Sequence, residues 1–171
     1  KLCVNKDGTI RYDMTEIPVT HFKPRETGTS IKKLKELGYE KDYKGNELEN
    51  EDQILELKPH DIFIPCNDEL KNDKGDSLII NIANFLDELL EKFYGLEKFY
   101  NIKSREDLVG HLGVTISPHN CAGVICRIIG FTKVQGLMAS PYLHAAMRRD
   151  ADGDEASISL LLDVLINFSK S

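Results

Sequence analysis

A chain of 171 residues is long enough for one domain with a real core and too short for two of ordinary size. Its composition, 41% apolar and 29% charged, is that of a soluble globular protein, and no apolar run approaches the length of a membrane span. The net charge of −6 argues against indiscriminate binding to nucleic acid, although the balance is uneven: +4 over residues 1–35, −10 over 36–110, +4 over 111–149 and −4 over 150–171.

The opening Lys-Leu-Cys-Val-Asn is neither a secretory signal nor an initiator Met, and it reads as part of something longer. Leu2 to Val4 and Thr9 to Tyr12 flank Asn5-Lys6-Asp7-Gly8, which predicts a hairpin with an Asp-Gly turn. The strand character continues through Ile17-Pro18-Val19-Thr20 to His21-Phe22-Lys23-Pro24-Arg25-Glu26. There a histidine and the cations Lys23 and Arg25 surround a proline, as in a phosphate-contacting loop or a charged surface turn. Ser30 to Leu37 predicts a short helix with Ser30 as N-cap and Gly38 just past its end. From Tyr39 to Glu56 the chain is polar and loop-like, and a short strand is expected after the turn at Pro59.

Residues 67–76 have no apolar period and predict a loop. Ser77 then caps the clearest helix, whose apolar positions Leu78, Ile79, Ile82, Phe85, Leu86, Leu89, Leu90 and Phe93 keep the helical repeat; Asp87, Glu88, Glu91 and Lys92 should face water. Ser104-Arg105-Glu106-Asp107 opens a second short helix through Leu112 with a capping box. The aromatics Phe93, Tyr94, Phe99 and Tyr100 read as core between these helices. After Gly113, the run from Ser117-Pro118-His119 to Gly130 favours a short buried helix over a strand. Ala156 to Phe168, apolar on nearly every side, predicts a helix that needs burial all round. Together these elements give an α+β chain of helices and short strands: a strand-rich basic segment (1–66), a helical segment (67–113) and a site-bearing segment (114–171). The four cysteines, Cys3, Cys66, Cys121 and Cys126, are irregularly spaced and predict free thiols in a reducing, cytoplasmic location.

The densest chemical signal is Arg148-Arg149-Asp150-Ala151-Asp152-Gly153-Asp154-Glu155. In an extended segment three carboxylates at every second position project from one face, and at about 4 Å each pair repels by roughly 4 kcal/mol at an effective dielectric near 20. A divalent cation offsets that repulsion, and hard oxygen donors suit Mg²⁺ or Mn²⁺. Glycine fourth and Leu161 twelfth from Asp150 exclude an EF-hand. The competing reading is an acidic turn with Asp154 as N-cap of the next helix.

Several strings together resemble the large subunit of the archaeal family D DNA polymerase. They are Thr20-His21-Phe22-Lys23-Pro24-Arg25-Glu26, Lys92-Phe93-Tyr94-Gly95-Leu96, Asp107-Leu108-Val109-Gly110-His111-Leu112, Arg127-Ile128-Ile129-Gly130-Phe131, Pro141-Tyr142 with His144-Ala145-Ala146 and Arg148-Arg149, and Asp152-Gly153-Asp154-Glu155. The resemblance implies a piece of a replicative polymerase core built on double-psi β-barrels, in which Asp152 and Asp154 bind metal. The family string has Asn where Asp150 stands and Asp where Ala156 stands; Ser140 and Met147 replace a His and a Lys. Asp150 is then a candidate third ligand, with Mg²⁺ or Mn²⁺ as cofactor. Arg148 and Arg149 are candidates for gripping phosphate, and His144, Lys23, Arg25 and His119 for template or nucleotide contacts. The implied partners are primer-template DNA, dNTP, a small exonuclease subunit and the rest of the large subunit, associated with the nucleoid rather than a membrane. A catalytically degenerate module and a metal-dependent nuclease are the rival readings.

Overall fold

The computed structural model describes residues 2–69, 74–118, 120–150 and 152–170. The predicted hairpin is present: β1 (Leu2–Val4) pairs antiparallel with β2 (Ile10–Pro18), Leu2 opposite Tyr12. Along β2 the buried residues Tyr12, Met14 and Glu16 fall at every second position, so one face of the strand points into the core. Further strands are β3 (His21–Phe22), β4 (Leu55–Glu56), β5 (Asp61–Pro65), β6 (Leu112–Ile116), β7 (Val124–Thr132), β8 (Gly136–Ala139) and β9 (Glu155–Leu160). β3 and β4 form a separate two-stranded ribbon.

The other strands run in the order β2-β8-β5-β7-β6-β9, and β9 returns to pair with β2, which closes a six-stranded barrel. Pairing is mixed: β2/β8 and β5/β7 are parallel, and the rest of the ring is antiparallel. β2 is shared along its length, residues 10–12 with β1, 12–15 with β9 and 15–18 with β8. Gly136 permits the last of these, since a Cβ there would fall 2.4 Å from Ile17 Cδ1 and 2.8 Å from the Thr15 carbonyl.

The helices are α1 (Ile31–Glu36), α2 (Gly75–Lys92), α3 (Pro141–Ala146) and α4 (Leu161–Lys170). Ser30 caps α1 as expected, its hydroxyl accepting from the Lys33 amide. α2 begins two residues before Ser77, with Asp76 in its first turn, where a carboxylate favours the helix dipole. Ile79, Ile82, Leu86 and Leu90 lay α2 on the main core, each burial contributing roughly 1.5–3 kcal/mol. Asp87, expected in water, is buried and accepts from the amides of Phe99, Tyr100 and Asn101, because the chain folds back over the helix end. That return also carries most of the aromatic group to the surface: Phe93 is 74% and Phe99 60% exposed, and only Tyr100 is buried.

Three other expectations are corrected. The second short helix is a capped 3-10 turn, Arg105–Leu108, and Leu112 already belongs to β6. The predicted buried helix after Ser117 is largely strand β7, paired on both edges, and a continuous apolar run suits that burial equally well. Ala156 to Phe168 divides into β9 and α4, so barrel pairing supplies the cover that a helix would have lacked.

A second apolar cluster, including Phe22, Leu34, Tyr39, Leu55, Phe63 and Ile129, packs α1 and the ribbon onto the barrel. At its edge Asp61, fully buried on β5, accepts from Arg127 Nε at 2.7 Å and Nη2 at 2.8 Å and from the Tyr39 hydroxyl. Burial and the Asp61 charge push the Tyr39 phenol up, which keeps it a donor. Cys66 and Cys126 are buried free thiols, Cys126 pushed up to about 12 by burial; Cys3 and Cys121 are free as well. No helix among the described residues is long and apolar enough to cross a membrane.

Asp61→Ala should cost roughly 3–5 kcal/mol in chemical denaturation, because it strands the half-buried Arg127 guanidinium; adding Arg127→Met should recover much of that loss. At the β2/β9 seam, burial raises the Asp13 carboxyl, but the Ser157 hydroxyl and Arg11 outweigh it and hold the group below its ordinary 3.8. A depressed carboxylate contributes stability above its unfolded pKa and loses it as pH falls through the folded one. Asp13→Asn should therefore flatten the fall in melting temperature at pH below 3.8.

Candidate metal centre

The acidic string links α3 to β9. Ser140, where the resemblance leads one to expect His, caps α3 by accepting from the Tyr142 amide, and Pro141 takes the first helical position. At the other end the Arg148 amide donates to Ala145 O and the Arg149 amide to His144 O, both at 2.9 Å, a Schellman closure that holds Arg148 at φ +60. Met147 at this cap is fully buried, and its carbonyl accepts from the Ser117 hydroxyl. The chain then turns at Gly153, φ +96, and enters β9 at Glu155. Asp154 thus precedes a strand, not a helix, and the N-cap reading does not hold.

One backbone hydrogen bond fixes the turn to the barrel, from the Glu16 amide to the Asp154 carbonyl at 2.9 Å. It brings together three carboxylates. Glu16, Asp152 and Asp154 each offer an oxygen within 4.8 Å of the other two. Asp152 is exposed and Asp154 half-buried, whereas Glu16 is 2% exposed. Neither Glu16 oxygen has a hydrogen-bond partner. His144 Nδ1 lies 3.3 Å from Glu16 Oε2 without the alignment of a hydrogen bond, and both nitrogens of this fully buried ring are unpartnered. Arg149 Nη1 reaches Asp154 Oδ2 at 3.4 Å, while its buried Nε has no partner. An all-oxygen donor set with a bare buried carboxylate fits a hard divalent cation such as Mg²⁺ or Mn²⁺. Beside the turn is an open hollow of about 480 Å³, lined by Tyr12, Asp13, Met14, Thr15, Gln135, Gly153 and Glu155.

The other candidates are scattered. Asp150 and Arg148 are exposed, and Asp150 lies outside the carboxylate trio. His144 is fully buried, with Nδ1 3.3 Å from Glu16 Oε2. Lys23 is half-buried; Arg25 is exposed and pairs with Asp52 at 2.9 Å. His119 lies outside the described residues. Sequence reading missed Glu16, although a signal existed: an acid in the inward row Tyr12-x-Met14-x-Glu16 of an alternating strand is out of place unless something pairs with it.

Comparison with known proteins bears on this centre. The sequence matches over residues 1–171 the family described as DNA polymerase II large subunit DP2, catalytic domain. It is 56% identical to the DNA polymerase II large subunit of Archaeoglobus fulgidus over 98% of this chain and 14% of that protein. The like-named subunits of Methanothermobacter thermautotrophicus and Pyrococcus furiosus are 55% and 52% identical, over 97% and 98% of this chain and 15% and 13% of theirs. The chain thus spans about one-seventh of the length of these relatives.

A non-glycine residue in the left-handed region is held there at a cost of about 1–2 kcal/mol. Arg148→Gly should therefore leave the melting temperature unchanged or raise it by up to a few degrees; a clear fall would mean that the Arg148 side chain holds the turn.

Proposed function

The chain belongs to the catalytic-domain family of the DNA polymerase II large subunit, and from that premise we propose that it carries the metal-binding part of a DNA-directed DNA polymerase, acting in nucleotidyl transfer from a dNTP to a primer 3′-hydroxyl. The observation that carries the reading is that Asp152 and Asp154 bring carboxylate oxygens within 4.8 Å of each other on the turn leading into barrel strand β9. These two side chains would hold Mg²⁺ or Mn²⁺. When bound there, the ion supplies Lewis acidity toward a 3′-hydroxyl and triphosphate oxygens. Arg149 keeps Asp154 oriented and has an unused donor at Nε; Arg148, exposed beside it, offers a guanidinium to a phosphate. Asp150 is an outer acidic group at the start of the turn. Lys23 and Arg25 are proposed as backbone contacts to template DNA, with His119 a further candidate.

The barrel is taken to be of the double-psi kind, which its two parallel pairs, β2/β8 and β5/β7, support. A small exonuclease subunit and the remaining length of the large subunit complete the proposed assembly in the cytoplasm at the nucleoid. The departures at Ser140, Met147 and Ala156 do not favour a degenerate module: one is a helix cap, two are fully buried, and none belongs to the carboxylate trio.

Asp152→Asn and Asp154→Asn, each in the complete polymerase, should lower primer extension at least about 100-fold, since even residues outside the ligand set of a metal cost 10- to 100-fold. Primer-template binding should persist. Undiminished synthesis ends the assignment, and strand cutting without dNTP incorporation by the unmutated enzyme would favour a nuclease instead.

A further inference from the structure

We infer that Glu16 is a third protein ligand of the divalent ion, supplied from the core-facing row of β2; the inference rests on reading Asp152 and Asp154 as metal ligands. Most other buried carboxylates are provided for, and Asp76, in the first turn of α2, has one bare oxygen but the Cys66 thiol beside it. Asp61 has Arg127 and Tyr39, Asp87 has three backbone amides, Asp13 has Arg11 and Ser157, and Asp163 has the Ile10 amide at 2.7 Å and Asn167 at 2.9 Å. Glu16 is the one buried carboxylate, among the described residues, with both oxygens bare. Burying a carboxylate with no partner is unfavourable unless a positive charge comes to it.

Two basic side chains are near enough to be considered. His144 Nδ1 lies 3.3 Å from Oε2, but it is not aligned for a hydrogen bond. Arg149 is turned to Asp154. Neither explains why Asp152 and Asp154, both acidic, come to rest within 4.8 Å of a buried acid that would repel them. A cation shared by all three does. Because Glu16 is on β2 and Asp154 leads into β9, such an ion joins the two strands that close the barrel, and a rigid strand fixes one ligand while the Gly153 turn brings the others.

Localised cutting by Fe²⁺ in place of Mg²⁺, with ascorbate and peroxide, tests this in the full-length protein, because hydroxyl radicals cleave the backbone beside the bound ion. The unmutated protein should be cut near residues 15–17 and 152–155, and excess Mg²⁺ should suppress both cuts. Glu16→Gln, of the same shape without the charge, should lower both at least tenfold, and Glu16→Asp should restore part of them. Hydrogen exchange of β2 in metal-free Glu16→Gln should be no faster than in the unmutated protein, since a buried unpaired charge has been removed. Cutting unaffected by Glu16→Gln would make Glu16 no more than a neighbour of His144 and would overturn the inference. Faster exchange of β2 in that variant would overturn it too, by showing that the fold needs the charge. Absence of any Mg²⁺-suppressed cut at 152–155 in the unmutated protein would instead remove the underlying reading of Asp152 and Asp154.

Discussion

Everything at the proposed site depends on β2 being held from both sides. Its first residues pair with β1, its middle with β9 and its end with β8, so closure of the barrel and the approach of the acidic turn are one event. Glu16 and Asp154 come next in the register after Thr15 and Glu155, so the hydrogen bond from the Glu16 amide to the Asp154 carbonyl carries the β2/β9 ladder one step into the turn. A single backbone hydrogen bond thereby sets the position of a turn whose side chains repel one another. Without closure, the strand bearing Glu16 and the turn bearing Asp152 would have no reason to meet.

The electrostatics divide into two kinds. Asp61 and Asp87 are structural: each is surrounded by donors that hold packed pieces together, the ribbon and α1 to the barrel in one case, the returning chain to α2 in the other. Such groups satisfy themselves within the fold. The carboxylates around Asp154 do the reverse, gathering acids faster than the fold supplies cations, and Arg149 makes one long contact of 3.4 Å. A stable protein tolerates that imbalance where an external cation completes it.

The departures from the family string acquire physical meaning in place. Ser140 gives α3 an oxygen that accepts from its first turn, and Met147 fills a fully buried position with a flexible apolar chain. Ala156 lies in the buried row of β9 opposite Met14. These are packing and capping roles near the site, and they leave the orientation of Asp152 and Asp154 to Gly153 and to the β2 contact.

What the sequence determined by itself was local. The Asp-Gly hairpin, the Ser30 cap of α1, the apolar stripe of α2 and the Asp152-Gly153-Asp154 turn are each fixed by the backbone preferences and periodicity of neighbouring residues, and each is found at or near its expected place. The tertiary structure decided the rest. Residues 124–132 and 155–160 are strands because partners distant in sequence bond to their edges, and a continuous apolar run carries no period that tells a buried strand from a buried helix. Asp87 turned inward because a returning loop presented three amides to it. Glu16 joined Asp152 and Asp154 because a closed ring of hydrogen-bonded strands brings the two ends of the chain together, and no pattern within either end encodes that meeting.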